Sequence, residues 1–123
     1  MLDHLGLEVA DYDRSKAFYE RALAPLGISL LMEPIQQVGG FGDDQKPYFW
    51  IAHRGGTPQT GVHVAFEVQS RDLVDAFHAA ALEAGGTDHG APGVREMYHP
   101  SYYGAYVLDP DANNVEAVCH LPA

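Results

Sequence analysis

The chain repeats itself. Residues 4 to 9, His4-Leu5-Gly6-Leu7-Glu8-Val9, return 59 positions later as His63-Val64-Ala65-Phe66-Glu67-Val68. The same offset carries Asp13, Ala17, Phe18, Ala22, Leu23 and Gly27 onto Asp72, Ala76, Phe77, Ala81, Leu82 and Gly86. Amphipathic helices match one another at Ala and Leu by chance, but they do not also share a preceding His-x-small-apolar-Glu-Val run. An internal duplication follows, with halves over residues 1–54 and 62–121 of one domain spanning 1–123.

Each copy reads as a strand feeding a helix. Strand side chains alternate in direction. Leu5, Leu7 and Val9 therefore share one face, and His4, Gly6 and Glu8 the other. In the second copy Val64, Phe66 and Val68 oppose His63, Ala65 and Glu67. The apolar faces are expected to meet helices. The other faces carry a His, a small residue and a carboxylate, which suits the floor of a polar cleft, or else simply meet water.

The rest of the chain fits the same unit. Asp11 or Asp13 caps a helix whose stripe is Phe18, Ala22, Leu23 and Leu26, and Pro25 and Gly27 stop it. Ile28 to Met32 reads as a strand. Glu33 to Pro47, with Gly39-Gly40-Phe41-Gly42, reads as a flexible turn or loop. Tyr48 to Ala52 is a strand. In the second half Ser70 caps a helix ending at Gly85-Gly86, and Tyr102–Leu108 and Val115–Cys119 are strands around an Asp109-Pro110-Asp111 turn. The predicted class is α+β: paired βαβββ modules forming a cupped mixed sheet with helices on the outer face.

Composition narrows the function. The formal charge is −10, and only 7 of the 123 residues are Lys or Arg. Phosphate neutralisation needs clustered cations, so nucleic acid and anionic membrane surfaces are not expected partners. There is no apolar run long enough to span a bilayer. A single cysteine forms no internal disulfide, and strand one starts almost at Met1, so a cytoplasmic protein is expected.

In the last strand Glu116, Val118 and His120 share one face, opposite Val115, Ala117 and Cys119. If Glu116 turns into the cleft it meets His4 and His63. Two imidazoles and a carboxylate with positions left open are a ligand set for one catalytic divalent metal: iron, manganese, zinc or nickel.

The duplicated half, His4 with Ser15-x-x-Phe18-Tyr19, the inter-copy His63, and Asp109-Pro110-Asp111-x-Asn113-x-Val115-Glu116 together resemble the vicinal oxygen chelate superfamily. That group includes glyoxalase I, bleomycin-resistance proteins, extradiol dioxygenases and fosfomycin-modifying thiol transferases. The resemblance covers nearly the whole chain. It implies a metal at the bottom of a cup and a small-molecule substrate that chelates it through adjacent oxygens. By position it puts the ligands on His4, His63 and Glu116. The fourth ligand of glyoxalase I falls on Trp50, which cannot bind a metal, and this argues against lactoylglutathione lyase activity. Ala112 stands where the resemblance expects Gly, and Asn113 is the residue expected to take up a left-handed turn.

Each residue has a second reading. His4 and His63 are metal ligands, or polar groups of a metal-free pocket that sequesters an aromatic compound, a cationic one suiting the charge, as in bleomycin-resistance relatives. Glu116 is a ligand or pairs with an Arg. Glu8 and Glu67 orient the imidazoles or are rim charges. Trp50 stacks a flat substrate or fills the cup. His99, Tyr102 and Tyr103 are expected near the mouth as hydrogen-bond donors. His120 is a rival ligand, and Cys119 a buried apolar residue. Open sheet edges, together with the resemblance, lead to the expectation of a homodimer.

Overall fold

A computed structural model describes all 123 residues. The elements are β1 (Leu5–Glu8), α1 (Tyr12–Leu23), β2 (Ser29–Met32), β3 (Val38–Asp43), β4 (Lys46–Ala52), β5 (His63–Glu67), α2 (Arg71–Glu83), β6 (Thr87–Val94), β7 (Tyr103–Leu108) and β8 (Asn114–Cys119). They form two four-stranded sheets of the same topology, ordered β1-β4-β3-β2 and β5-β8-β7-β6. In each sheet the first strand runs parallel to the last, and the other pairings are antiparallel. The α+β class and the βαβββ modules are as the sequence predicts.

Local chemistry explains the boundaries. Asp11, not Asp13, accepts the Arg14 N–H and starts α1, and Ser70 does the same for α2 through Leu73. Each satisfies a helix donor that would otherwise be orphaned. After α1 the chain passes through a 3₁₀ turn over Ala24–Leu26 and leaves it at Gly27, φ +77°.

One expectation is corrected. The Gly-rich stretch expected to be a loop is β3, an interior strand buried from Val38 to Gly42. Its glycines serve close approach rather than flexibility. A Cβ on Gly39 would stand 2.4 Å from the Tyr12 hydroxyl, and one on Gly40 2.8 Å from the Trp50 ring. The real turn is only Asp44-Gln45, both at positive φ, which matches the twist of a two-residue hairpin.

The two modules share one apolar core. Leu7, Val9, Phe18, Tyr19, Phe41, Phe49 and Ile51 of the first half join Val74, Phe77, Val107, Val115, Ala117 and Cys119 of the second. Phe49 meets Phe66 edge to face at 5.5 Å, directly between the sheets. Buried Tyr19 donates to buried Asp109, whose carboxylate also accepts the N–H groups of Asp111 and Asn113 at 2.8 Å. That turn is thereby locked to α1. Each sheet spends its helix-side face on this core.

Candidate functional site

On the open face of the second sheet, β5, β8 and β7 bring Ala65, Glu116 and Tyr106 into line. Glu116 is 1% exposed, a carboxylate taken almost wholly out of water. Such a group needs partners, and it has two. His63 Nε2 lies 2.9 Å from Oε1, and the Tyr102 hydroxyl donates to Oε2. Gly104 makes room for this, since a Cβ there would sit 3.0 Å from Oε2. Burial, and then the Glu116 carboxylate, push the Tyr102 phenol far above its ordinary range and keep it a donor.

The His63 ring is oriented from its other side. Nδ1 lies 3.1 Å from the Asn114 carbonyl oxygen, which only accepts, so Nδ1 carries the proton. Nε2 of a neutral ring then presents a lone pair to a carboxylate oxygen. Two acceptors at 2.9 Å repel unless a second proton or a cation lies between them. The pair is therefore either a hydrogen bond through that second proton or two donors placed to share a cation.

The third expected ligand is elsewhere. His4 stands just ahead of β1 on the first sheet, exposed, with Nδ1 2.7 Å from Asp3. No group of three or more His, Cys, Asp or Glu in the chain can hold a metal. Within one chain His63 and Glu116 are together and His4 is not with them. The reason is topological: His4 opens the edge strand of one sheet and His63 that of the other, and no strand pairing joins the sheets.

The first sheet has its own site. Gly6, Trp50 and Gly40 lie in register across β1, β4 and β3. Trp50 pairs with Gly6 as Glu116 pairs with Ala65, so register puts tryptophan in the position equivalent to the carboxylate. A cavity of about 600 Å³ opens here, lined among others by His4, Glu8, Ile35, Val38, Trp50 and Arg54. A smaller one of about 350 Å³ brings Asp3 and His4 near Glu67.

The remaining expected residues divide. Tyr102 is in the site through Glu116. His99 bonds to His120 at 2.9 Å, and both rings pack edge-on against Tyr102. Tyr103 does not face the cleft: it packs on the helix side, donates to Asp75 of α2 and lies under Arg71. Strand alternation sends it opposite to Tyr102. Neither Glu8 nor Glu67 orients an imidazole. The Glu8 carboxylate accepts the backbone N–H groups of Arg54 at 2.7 Å and Gly56 at 3.1 Å. Asp3 and the Asn114 carbonyl hold the rings instead. Sequence reasoning missed both, and Arg54. Asp3 adjoins His4 in sequence, so a search for acceptors beside each histidine would have found it.

Comparison with known proteins agrees with this architecture. The profile described as Glyoxalase/Bleomycin resistance protein/Dioxygenase superfamily matches residues 1–117. The chain belongs to that superfamily. A crystal structure of a glyoxalase/bleomycin resistance protein from Albidiferax ferrireducens T118 is 31% identical, with TM-score 0.80, over 95% of this chain and 96% of that one. A glyoxalase/bleomycin resistance protein/dioxygenase family enzyme from Burkholderia phytofirmans PsJN is 23% identical, with TM-score 0.73, over 98% of both chains. A glyoxalase/bleomycin resistance protein from Catenulispora acidiphila DSM 44928, 18% identical, has TM-score 0.68 over 97% of this chain and 98% of that one. The latter two likenesses are of fold alone. No curated protein matches the chain significantly.

Proposed function

We propose that the protein is a divalent-metal-dependent enzyme acting on a small molecule that chelates the metal through adjacent oxygens. His63 and Glu116 of one subunit, with His4 of a second copy, would hold the ion. The single observation behind this reading is the pairing of His63 Nε2 with Glu116 Oε1 at 2.9 Å while Nδ1 is committed to the Asn114 carbonyl. When bound, the metal supplies a Lewis acid that polarises the chelating oxygens.

The chain's own residues then have defined tasks. Tyr102 holds Oε2 of Glu116 and leaves Oε1 for the ion. The Asn114 carbonyl fixes the His63 tautomer, as partners of metal-binding histidines commonly do. Trp50 closes the position where a fourth ligand would stand and offers a flat wall to substrate. Pairing of two copies also supplies cover for the open sheet faces.

The direct test is metal content after reconstitution with iron(II), manganese, zinc or nickel. Wild-type protein is expected to retain about one ion per chain, and His63→Ala or Glu116→Gln to lose at least roughly tenfold in affinity. A wild type that retains no metal would overturn this proposal. It would leave the second reading, a metal-free binding protein, which Trp50 at the Glu116-equivalent position favours.

A further inference from the structure

The cavity on the first sheet is lined by Arg54, which makes no ion pair, and by Glu8, whose carboxylate is held by backbone N–H groups. Among the chain's lysines and arginines, Arg14, Lys16 and Lys46 are in ion pairs. Arg71 and Arg95 lie over the rings of Tyr103 and Tyr106. Arg21 and Arg54 are in no ion pair and over no ring, and of these two Arg54 lines the cavity beside Trp50. Its position is built rather than incidental. Glu8 accepts the Arg54 and Gly56 backbone N–H groups, and Gln59 bonds back to the Glu8 N–H, so the turn after β4 is pinned to β1. The carboxylate nearest in sequence register thus holds the arginine's backbone and leaves the guanidinium unmatched. Opposite charge is plentiful, with 17 Asp and Glu against 7 Lys and Arg, so an arginine left unpaired in a cleft is conspicuous.

We infer that this cavity takes a flat, anionic small molecule, an aromatic or conjugated carboxylate whose ring lies on Trp50 and whose carboxylate meets Arg54. A guanidinium presents a fork of donors matched to carboxylate geometry. An indole face takes a flat ring in offset or edge-on contact. This rests on the cavity being the substrate pocket of the proposed enzyme, but it does not depend on the metal. It also reverses the sign of the cationic ligand that a sequestering protein of this charge suggests.

Trp50 is the only tryptophan, so its fluorescence reports occupancy of this cavity alone. Benzoate, benzamide and benzylammonium have nearly the same shape and differ in charge. Titration of each into wild type, Arg54→Gln and His63→Ala, all with chelator present, is expected to show benzoate binding roughly tenfold tighter than benzamide in wild type and His63→Ala. Arg54→Gln should bring benzoate down to the benzamide level and leave benzamide unmoved. Equal affinities, tighter binding of benzylammonium, no response to any of the three, or a benzoate preference that survives Arg54→Gln would each overturn the inference. A preference lost in His63→Ala would also overturn it, because the anion would then be reading the other site. A protein that binds no metal yet keeps the Arg54-dependent preference would refute the enzyme proposal alone.

Discussion

At Ala112 the backbone turns through φ +64°, a region that an L side chain enters at a cost of about 1–2 kcal/mol. The sequence suggests Asn113 for that role, but Asn113 is fully buried and spoken for. Its side chain accepts the Val62 N–H and donates to the Gln59 carbonyl and to Asp109. The left-handed step moves one residue back, onto a side chain with nothing to gain from it. Ala112→Gly should therefore raise stability by about 1 kcal/mol, read as a higher thermal midpoint with unchanged metal binding. At this scale strand parity made much of the site legible: Glu116 does face away from the core, and Trp50 does stand in its equivalent position. Strand parity did not reach Asp3, the Asn114 carbonyl or Arg54, although Asp3 stands next to His4 in sequence. Two of them act through a backbone group or on a chain neighbour, and the third owes its position to a loop pinned by Glu8. None of these leaves a periodic trace.

Elements were legible where their signals were local and misleading where a glycine run served packing. The caps of α1 and α2 could be read from Asp11 and Ser70. Strand β3 could not, because glycines chosen for the closeness of Tyr12 and Trp50 look the same in sequence as glycines chosen for a turn. The contact that joins elements of the two halves, Tyr19 of α1 on Asp109 of the β7–β8 turn, was invisible for a different reason: its partners are ninety residues apart. It carries a pH signature. Burial, then the Asp109 charge, raise the Tyr19 phenol well above its ordinary range. A group raised by folding contributes stability that is complete below its unfolded value, near pH 10, and that drains away as pH climbs toward the folded one. Tyr48 behaves likewise, pushed up to about 12 by burial and then Asp43. The protein should lose stability above about pH 10, with Tyr19 alone contributing a slope of roughly 1.4 kcal/mol per pH unit. Tyr19→Phe should lose about 1.5–3 kcal/mol at pH 7, from the missing bond to a carboxylate, and show a shallower alkaline decline. Urea unfolding at pH 7, 10 and 11 measures both. A slope unchanged by the substitution would show that Tyr19 ionises alike in the folded and unfolded states and would overturn this reading.

For the whole molecule, the duplication predicted two like modules, and the two sheets have the same strand order. It did not say whether their open faces meet within a chain or between chains, because every intrachain signal is the same in both arrangements. The proposed ligand set distinguishes them. His63 and Glu116 are together in one chain and His4 is on the other sheet, so a complete set requires His4 from a partner. In a two-fold dimer each such site takes His4 from one subunit and the other two ligands from its mate. His4→Ala homodimers and His63→Ala homodimers would then both lack any complete site. A mixed dimer of the two variants would have one site with neither imidazole and one site intact, its His4 coming from the His63→Ala subunit and its His63 from the His4→Ala subunit. Unfolding the variants together, refolding and isolating the mixed dimer by two affinity tags should recover about one tightly held ion per dimer, half the wild-type content. If each chain completed its own site, both sites of the mixed dimer would stay broken and no tight metal would return. The mixture thus separates shared sites from private ones without knowledge of the substrate.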